Sequence, residues 1–424
     1  MSDSSLYQVT RLKNGARVAT AWMPHLRGVC VGAWSGVGGR HEVEAQCGIA
    51  HFVEHLFFKG TRQQTAKELS FSVEAVGGYL NAYTTEDHTC YYAKAASRHF
   101  ERLSTVLLEM YVGSTFPKQE VEREREVIAE EILSYKDSPS QWVEEMLSAC
   151  LWPGHPLGRS LTGTKESISK LSRRDLLNFR NRNYTGANTI FTVSGPLQHA
   201  DVLAVVAPIL GRIPKGTASR ARVAGPRNSR VVDVVKQDTE QAHMAMGFHA
   251  FSRTDSRRFA LRLLSVMLGE NMSSRLFQAL RERYGYCYSV QSTTSAFKET
   301  GAISISADLD PAKLPRALHV IAKEINRLRD RVPDKKELQM AKDYTIGQTQ
   351  IALDSATQQN SWMAESLFSH RRIVKVDEVE RELLSVSAED VRAVARECLR
   401  MENVAAALVG PGYDSAKFSA MLRS

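Results

Sequence analysis

The sequence has no CxxC pair: its six cysteines (Cys30, Cys47, Cys90, Cys150, Cys287, Cys398) are scattered through 424 residues. In a chain this long that excludes a disulfide framework and reads as buried free thiols in a reducing, cytoplasmic compartment. Long apolar runs are also missing. The longest, such as residues 404–408, are strand-sized, well short of the roughly 18 residues that cross a bilayer, so no membrane span is expected. The amino terminus shows neither an apolar signal core nor an Arg-rich presequence, and a removed leader is not expected. Nor is there a field of one charge sign. The formal charge is +8, yet residues 1–212 hold 23 Lys/Arg against 22 Asp/Glu. The excess gathers later, where Lys215, Arg220, Arg222, Arg227 and Arg230 stand without an acid among Gly, Pro, Ser and Thr. No aromatic residues interleave them, so this reads as a solvated, mobile linker rather than a nucleic-acid surface.

What is present is the composition of a folded protein, 43% hydrophobic and 24% charged, of a length that favours two domains. The basic stretch at 213–230 divides the chain into halves, 1–212 and 231–424, and the halves repeat. SRRDLLNFRNRN from Ser172 matches SAEDVRAVAREC from Ser387 at an offset of 215, each with Asp three residues after Ser, as in a capping box. ANTIFTVSGPL (187–197) matches ENVAAALVGPG (402–412) at the same offset, each a β-rich run closed by Gly-Pro.

The patterning predicts a hairpin over 7–23 turning at Asn14-Gly15, a buried strand over 28–36, and helices over 46–58 and 65–76. Strands follow at 79–85 and 89–95, then helices at 98–113, from Pro117 to about 135, and at 138–150. The second half runs strands near 230–236 and 241–249, helices near 255–268 and 273–283, and strands near 286–295 and 300–307. Long helices near 311–329 and 334–370 come next. Neighbouring strands with grouped helices imply α+β: two homologous modules, each a largely antiparallel sheet packed with helices, facing each other as a clamshell.

The chemistry concentrates in GIAHFVEHLFFKGT, 48–61. His51 and His55, four apart on a helix, project from one face about 6 Å apart, a spacing that suits two ligands of one tetrahedral zinc. Glu54 lies beside the pair, where it can take a proton from an attacking water without being a ligand. The order is HxxEH, the reverse of HExxH. A third ligand is sought in VEREREVIAEEILSYKDSPS, from Val121. Glu124 and Glu131, seven apart, share a face that Val127, Ile128, Ile132 and Leu133 bury, and a buried carboxylate needs a partner such as a dication. Local sequence does not separate Glu130 from Glu131.

HxxEH with Phe52-Val53 inside it, FKGT behind it and ERExxVIxxE about 75 residues on resembles the pitrilysin/insulysin family of inverted-motif zinc peptidases. The single-unit, mitochondrial-processing-peptidase-like branch is the nearest. The likeness spans essentially the whole chain, including GVGGR (36–40), GGYLNAYTTEDHTCYY (77–92) and SSRLFQALRERYGYCYSV (273–290). It implies that His51, His55 and Glu131 hold one zinc per chain, that Glu54 is the base activating water, and that Glu124 supports the ligands from behind. It implies also that Arg281 and Tyr288, in the second half, hold a substrate carbonyl and its oxyanion. The strand edge at Asn81-Ala82 would receive a peptide as an added strand. His88 has no ligand spacing to the helix pair and reads as structural. The implied activity is a zinc endopeptidase acting on short or unfolded peptides, or presequence-like segments, in a cleft between the modules. Partners implied are a homodimer, or a heterodimer with an inactive sibling. The alternative is a non-catalytic structural core subunit, or a processing-complex subunit that needs a partner chain.

Overall fold

The computed structural model describes residues 6–225 and 230–423; Arg227 of the basic stretch lies outside them. The chain forms two compact units. One comprises Met1–Ile132, Ser160–Arg222 and Ile351–Val374, the other Leu133–Arg159, Val223–Gln350 and Lys375–Ser424.

The first unit is built on β1 (Tyr7–Arg11), β2 (Arg17–Trp22), β3 (Gly28–Ser35), β4 (Tyr79–Thr84), β5 (Thr89–Ala96) and β6 (Thr189–Gly195), ordered β1-β2-β6-β3-β5-β4. The second is built on β7 (Val231–Lys236), β8 (Ala242–Ala250), β9 (Cys287–Ala296), β10 (Gly301–Leu309) and β11 (Ala405–Gly410), ordered β7-β11-β8-β10-β9. Without β1, the two orders correspond strand for strand. Each sheet has one parallel pair, β2 with β6 and β11 with β7, and is otherwise antiparallel. Both repeated capping boxes form. The Ser172 and Ser387 hydroxyls accept from the N–H of Asp175 and Asp390, whose carboxylates accept back from the serine N–H groups at 3.0 and 2.8 Å. The duplication legible at the 215-residue offset is a duplication of structure.

Each sheet carries a core on both faces, which is why the central strands read as continuous apolar runs. In the first unit, one face packs α1 (Ile49–Phe57), α2 (Ala66–Glu74), α3 (Phe100–Gly113) and α4 (Lys118–Lys136) through residues such as Phe52, Phe57, Leu69, Leu103 and Ile128. The other face, with Trp34, Cys90 and Ile190, is covered by Met363, Ala364 and Leu367 of the helix Ala356–His370. In the second unit, Met244, Phe248 and Ile305 lie in one core with residues of the helices Arg258–Ser265, Leu314–Asp330 and Ala388–Cys398. The opposite face, with Ala245 and Ala407, is covered by Val143, Leu147 and Leu151 of α5 (Pro139–Leu151).

Packing therefore does not follow a division at 212 and 231. A helix from the first half of the sequence belongs to the second sheet, and a helix from the second half to the first. Two glycines, again 215 residues apart, make room for them. A Cβ on Gly32 would lie 2.4 Å from Asn360 Oδ1, and one on Gly247 would lie 3.1 Å from Leu151 Cδ1. At Gly32 the approach is sealed by polar contacts, for Asn360 Nδ2 donates to the Cys30 carbonyl at 2.9 Å.

Two further expectations are corrected. The helix expected over 334–370 is two helices, Lys335–Leu353 and Ala356–His370. Asp354 and Ser355 break it, with Ser355 extended (φ −86°, ψ 129°), as short polar side chains that compete for backbone bonds tend to do. The carbonyl of Leu353 is then taken by Gln359 Nε2 at 2.8 Å. The basic stretch is not a free tether either. Gly186 and Ala187 N–H groups donate to the carbonyls of Pro214 and Lys215 at 2.8 and 3.0 Å. Asn188 Nδ2 donates to Ser219 Oγ at 2.6 Å, and Arg40 Nη2 to the Arg222 carbonyl at 3.2 Å. Backbone and side-chain groups of the first unit thus hold the stretch as far as Arg222. Among the described residues, no helix is long and apolar enough to cross a membrane.

Candidate metal centre

The helix that carries the histidines is fixed first by its start. The N–H groups of Gly48 and Ala50 donate to Oε2 and Oε1 of Glu42, both at 2.8 Å. A carboxylate there satisfies donors that no helical carbonyl reaches and sits at the positive end of the helix dipole. One face of α1 is then locked, because Ile49, Phe52, Val53, Leu56 and Phe57 are wholly buried. Each such side chain contributes about 1.5–3 kcal/mol. His51 and His55 stand together on the remaining face, ring centroids 4.6 Å apart.

α4 supplies the acid. Its buried residues are Val121, Glu124, Ile128 and Ile132, a helical stripe. Val127, expected inside, is 46% exposed, because one step from Ile128 turns it about 100° toward solvent. Glu130 is exposed and Glu131 half-buried, and of the two it is Glu131 that stands with the histidines. Oε2 of Glu131 lies 3.7 Å from Nε2 of His51 and 3.6 Å from Nε2 of His55. Tetrahedral zinc with bonds of about 2.0–2.2 Å requires donors roughly 3.3–3.6 Å apart; both carboxylate distances lie within about 0.1 Å of that range, and all three donors lie within 4.8 Å of one another, so the set suits a single ion after a small adjustment. Among the described residues they form the one cluster of three such donors.

The electrostatics suit a cation. Burial, then neighbouring His55, push the His51 imidazole down to about 3, which keeps it in the neutral form that binds metals. Burial raises the Glu131 carboxyl, with His55 offsetting it in part. For Glu124 burial also favours the neutral form, but bonds from His55 and Lys59 outweigh it and hold the group below its ordinary value. Glu124 Oε2 lies 3.0 Å from His55 Nδ1, so that nitrogen carries the proton and Nε2 is left free toward Glu131.

Glu54, almost fully buried, lies in the same helix, and Thr84 Oγ1 donates to its Oε2 at 2.6 Å. Burial raises the Glu54 carboxyl; the Thr84 bond and His55 pull the other way, and Glu131 adds to the rise. Thr84 ends β4, the outer strand of its sheet. The Thr85 N–H donates to the His88 carbonyl, and antiparallel bonding alternates, so Leu80, Ala82 and Thr84 turn their backbone groups to the open edge. The Ala82 N–H is held by Asn81 Oδ1 at 2.8 Å. His88 is buried and stacks on Phe368, centroids 6.0 Å apart, as a structural residue does.

Residues 17–165 match the family model described as insulinase (peptidase family M16), and residues 170–344 match the one described as the peptidase M16 inactive domain. The chain belongs to the M16 family of zinc peptidases. It is 34% identical to an uncharacterized zinc protease of Mycobacterium leprae, over 96% of this chain and 92% of that protein. It is 32% identical to one of Bacillus subtilis, over 94% and 97%. A crystal structure of a protease from Helicobacter pylori has the same fold, with TM-score 0.88 and 22% identity over 96% of this chain and 99% of that one. So does a peptidase M16 inactive domain from Pseudomonas fluorescens, with TM-score 0.88 and 19% identity over 96% and 98%.

In this M16 chain the residues matching the inactive-domain description include Arg281 and Tyr288. The structure brings these two together on the second unit. The Arg281 guanidinium lies 5.4 Å from the centre of the Tyr288 ring, and Tyr288, second residue of the outer strand β9, is 74% exposed. Both are thus accessible side chains rather than core ones. Two residues that touch the candidate site escape sequence reasoning, Lys59 beside Glu124 and Thr84 beside Glu54. Lys59 carried a signal, being four residues past His55 and eight past His51, a spacing that continues the histidine stripe just beyond the end of the helix. Thr84 carried none, since only the tertiary approach of β4 to α1 reveals it.

Proposed function

We propose that this protein is a zinc endopeptidase that hydrolyses short or unfolded peptides, with one zinc per chain held by His51, His55 and Glu131. The observation that carries this reading is the convergence of three donor atoms from two helices, beside a buried carboxylate that is not one of them. Zinc at such a site supplies Lewis-acid polarisation of the scissile carbonyl and eases deprotonation of water at neutral pH.

The chain's own residues do the rest. Thr84 fixes Oε2 of Glu54, which leaves Oε1 to take the proton of the attacking water and to deliver it to the leaving amine. A peptide laid along β4 adds a strand to the open edge, and its first carbonyl there displaces the Asn81 side chain from the Ala82 N–H. Backbone pairing of this kind gives affinity with little demand on side-chain sequence. Arg281 and Tyr288 donate to the substrate carbonyl as it becomes an oxyanion. The six buried, unbridged cysteines support a reducing compartment, and the presence of the donor set and the Arg281/Tyr288 pair in one chain supports a homodimer over a heterodimer with an inactive sibling.

The test is digestion of a mixed peptide pool by the purified protein, with and without chelator, read by mass spectrometry. Cleavage that stops with chelator and returns with zinc is the expected result; cleavage indifferent to chelator, or none in the zinc-loaded protein, rejects the reading. For the second module, Tyr288→Phe is expected to lower kcat by about 10²–10³, the cost of one oxyanion donor, with KM little changed. An unaltered kcat returns Tyr288 to an ordinary exposed strand residue.

A further inference from the structure

Lys59 lies just beyond the end of α1, its N–H donating to the Leu56 carbonyl at 3.2 Å. Its ammonium reaches Glu124 Oε1 at 2.7 Å, while the other oxygen of the same carboxylate lies 3.0 Å from His55 Nδ1. We propose that Lys59 is a positioning residue of the metal centre, acting through Glu124 to fix the orientation and tautomer of His55. The proposal rests on the reading of His51, His55 and Glu131 as metal donors, and it assigns a role to a residue outside that set.

The geometry argues it in two steps. A carboxylate gripped at one oxygen can pivot about its last side-chain torsion, and a pivot here would carry Oε2 away from Nδ1. Lys59 and His55 take opposite oxygens, so the group is gripped at both ends, inside a setting where Glu124 is only 3% exposed. The second step is the contrast between the two histidines. His51 Nδ1 is buried with no hydrogen-bond partner, so no hydrogen bond at that nitrogen fixes its ring. Ring orientation in the pair is therefore controlled on the His55 side, and the chain Lys59–Glu124–His55 is what controls it. Charge points the same way. Glu54, Glu124 and Glu131 set three carboxylates around two imidazoles, and the Lys59 ammonium supplies a compensating cation on the side away from the donors.

The experiment compares full-length wild type, Lys59→Met, Lys59→Arg, Glu124→Gln and the Lys59→Met/Glu124→Gln double variant. Zinc affinity is read by competition with a chromophoric chelator, and the His55 tautomer of the metal-free protein by imidazole nitrogen NMR. Loss of a supporting partner of a metal-binding histidine weakens metal binding by about 10–100-fold, and that loss is expected for Lys59→Met and Glu124→Gln. The double variant is expected to be no weaker than Glu124→Gln, because the lysine acts through the carboxylate. Lys59→Arg is expected to recover most of the affinity. The wild-type spectrum should show the proton on Nδ1, and Lys59→Met a mixture of tautomers. Wild-type zinc affinity in Lys59→Met, losses that add in full, or an unchanged His55 spectrum overturns the proposal. A wild-type chain that takes up no zinc overturns the metal reading itself, and this proposal with it.

Discussion

The Glu54→Gln protein is expected to bind zinc as wild type does and to cleave peptides at least 10²–10⁴ times more slowly, the usual worth of a positioned proton acceptor (about 3–5 kcal/mol). The substitution is close to isosteric. Its carbonyl oxygen can still accept from Thr84 Oγ1, now 2.6 Å from Oε2, so the helix and its two histidines should stay where they are. What disappears is the oxygen that takes a proton. Two measurements decide it: zinc per chain by elemental analysis, and turnover of a quenched peptide. Retained turnover removes Glu54 as the base. Loss of zinc together with turnover would show instead that Glu54 shapes the donor set, which contradicts a carboxylate placed beside the ion. A companion variant, Thr84→Val, removes only the hydroxyl that orients the base. It should retain zinc and lose a smaller part of the rate, because Glu54 remains a proton acceptor, its carboxyl pushed further up without the Thr84 bond, but loses its aim.

The chemistry of this site was legible because it is local. His51, Glu54 and His55 fall within five residues, and a helix turns that spacing into a shared face. The duplication was legible for a related reason: helix caps and Gly-Pro breakers leave residue-level marks, and Ser172/Asp175 and Ser387/Asp390 kept theirs. What stayed hidden is what depends on non-local packing. The exchange of α5 and the helix Ala356–His370 leaves no mark in either helix, since each is amphipathic enough to cover any sheet; the signal is the paired glycines Gly32 and Gly247, which mean nothing until the helices are in place. The linker misled in the same way. Its composition is that of a solvated chain, and the groups that pin it, Asn188 and Arg40, lie far away in sequence. Val127 failed for a smaller reason. A charged helix leaves several ways to draw its apolar stripe, and the true one runs through Val121, Glu124, Ile128 and Ile132, with a carboxylate as one of its inward members.

That inward carboxylate stripe makes α4 the place where a single residue should separate the metal from its absence. Glu131→Ala removes one of three protein donors while leaving α1 untouched. Structural zinc sites with four ligands gain about 10–16 kcal/mol, or about 2.5–4 kcal/mol per ligand, so zinc affinity should fall by about two to three orders of magnitude. Turnover at limiting zinc should vanish with it. Folding should not suffer, because Glu131 is half-exposed and its burial already favours the uncharged form. The neighbour is the control. Glu130 is exposed one position away, about 100° around the helix, so Glu130→Ala should leave affinity within a factor of about two and stability within about 0.5 kcal/mol. Chelator competition on both variants, with thermal unfolding of the metal-free proteins, separates the possibilities. Equal losses from the two substitutions would mean that the acidic face as a whole attracts the cation. Loss confined to Glu131 would mean that the ion is held by a carboxylate oxygen lying 3.6–3.7 Å from two imidazole nitrogens.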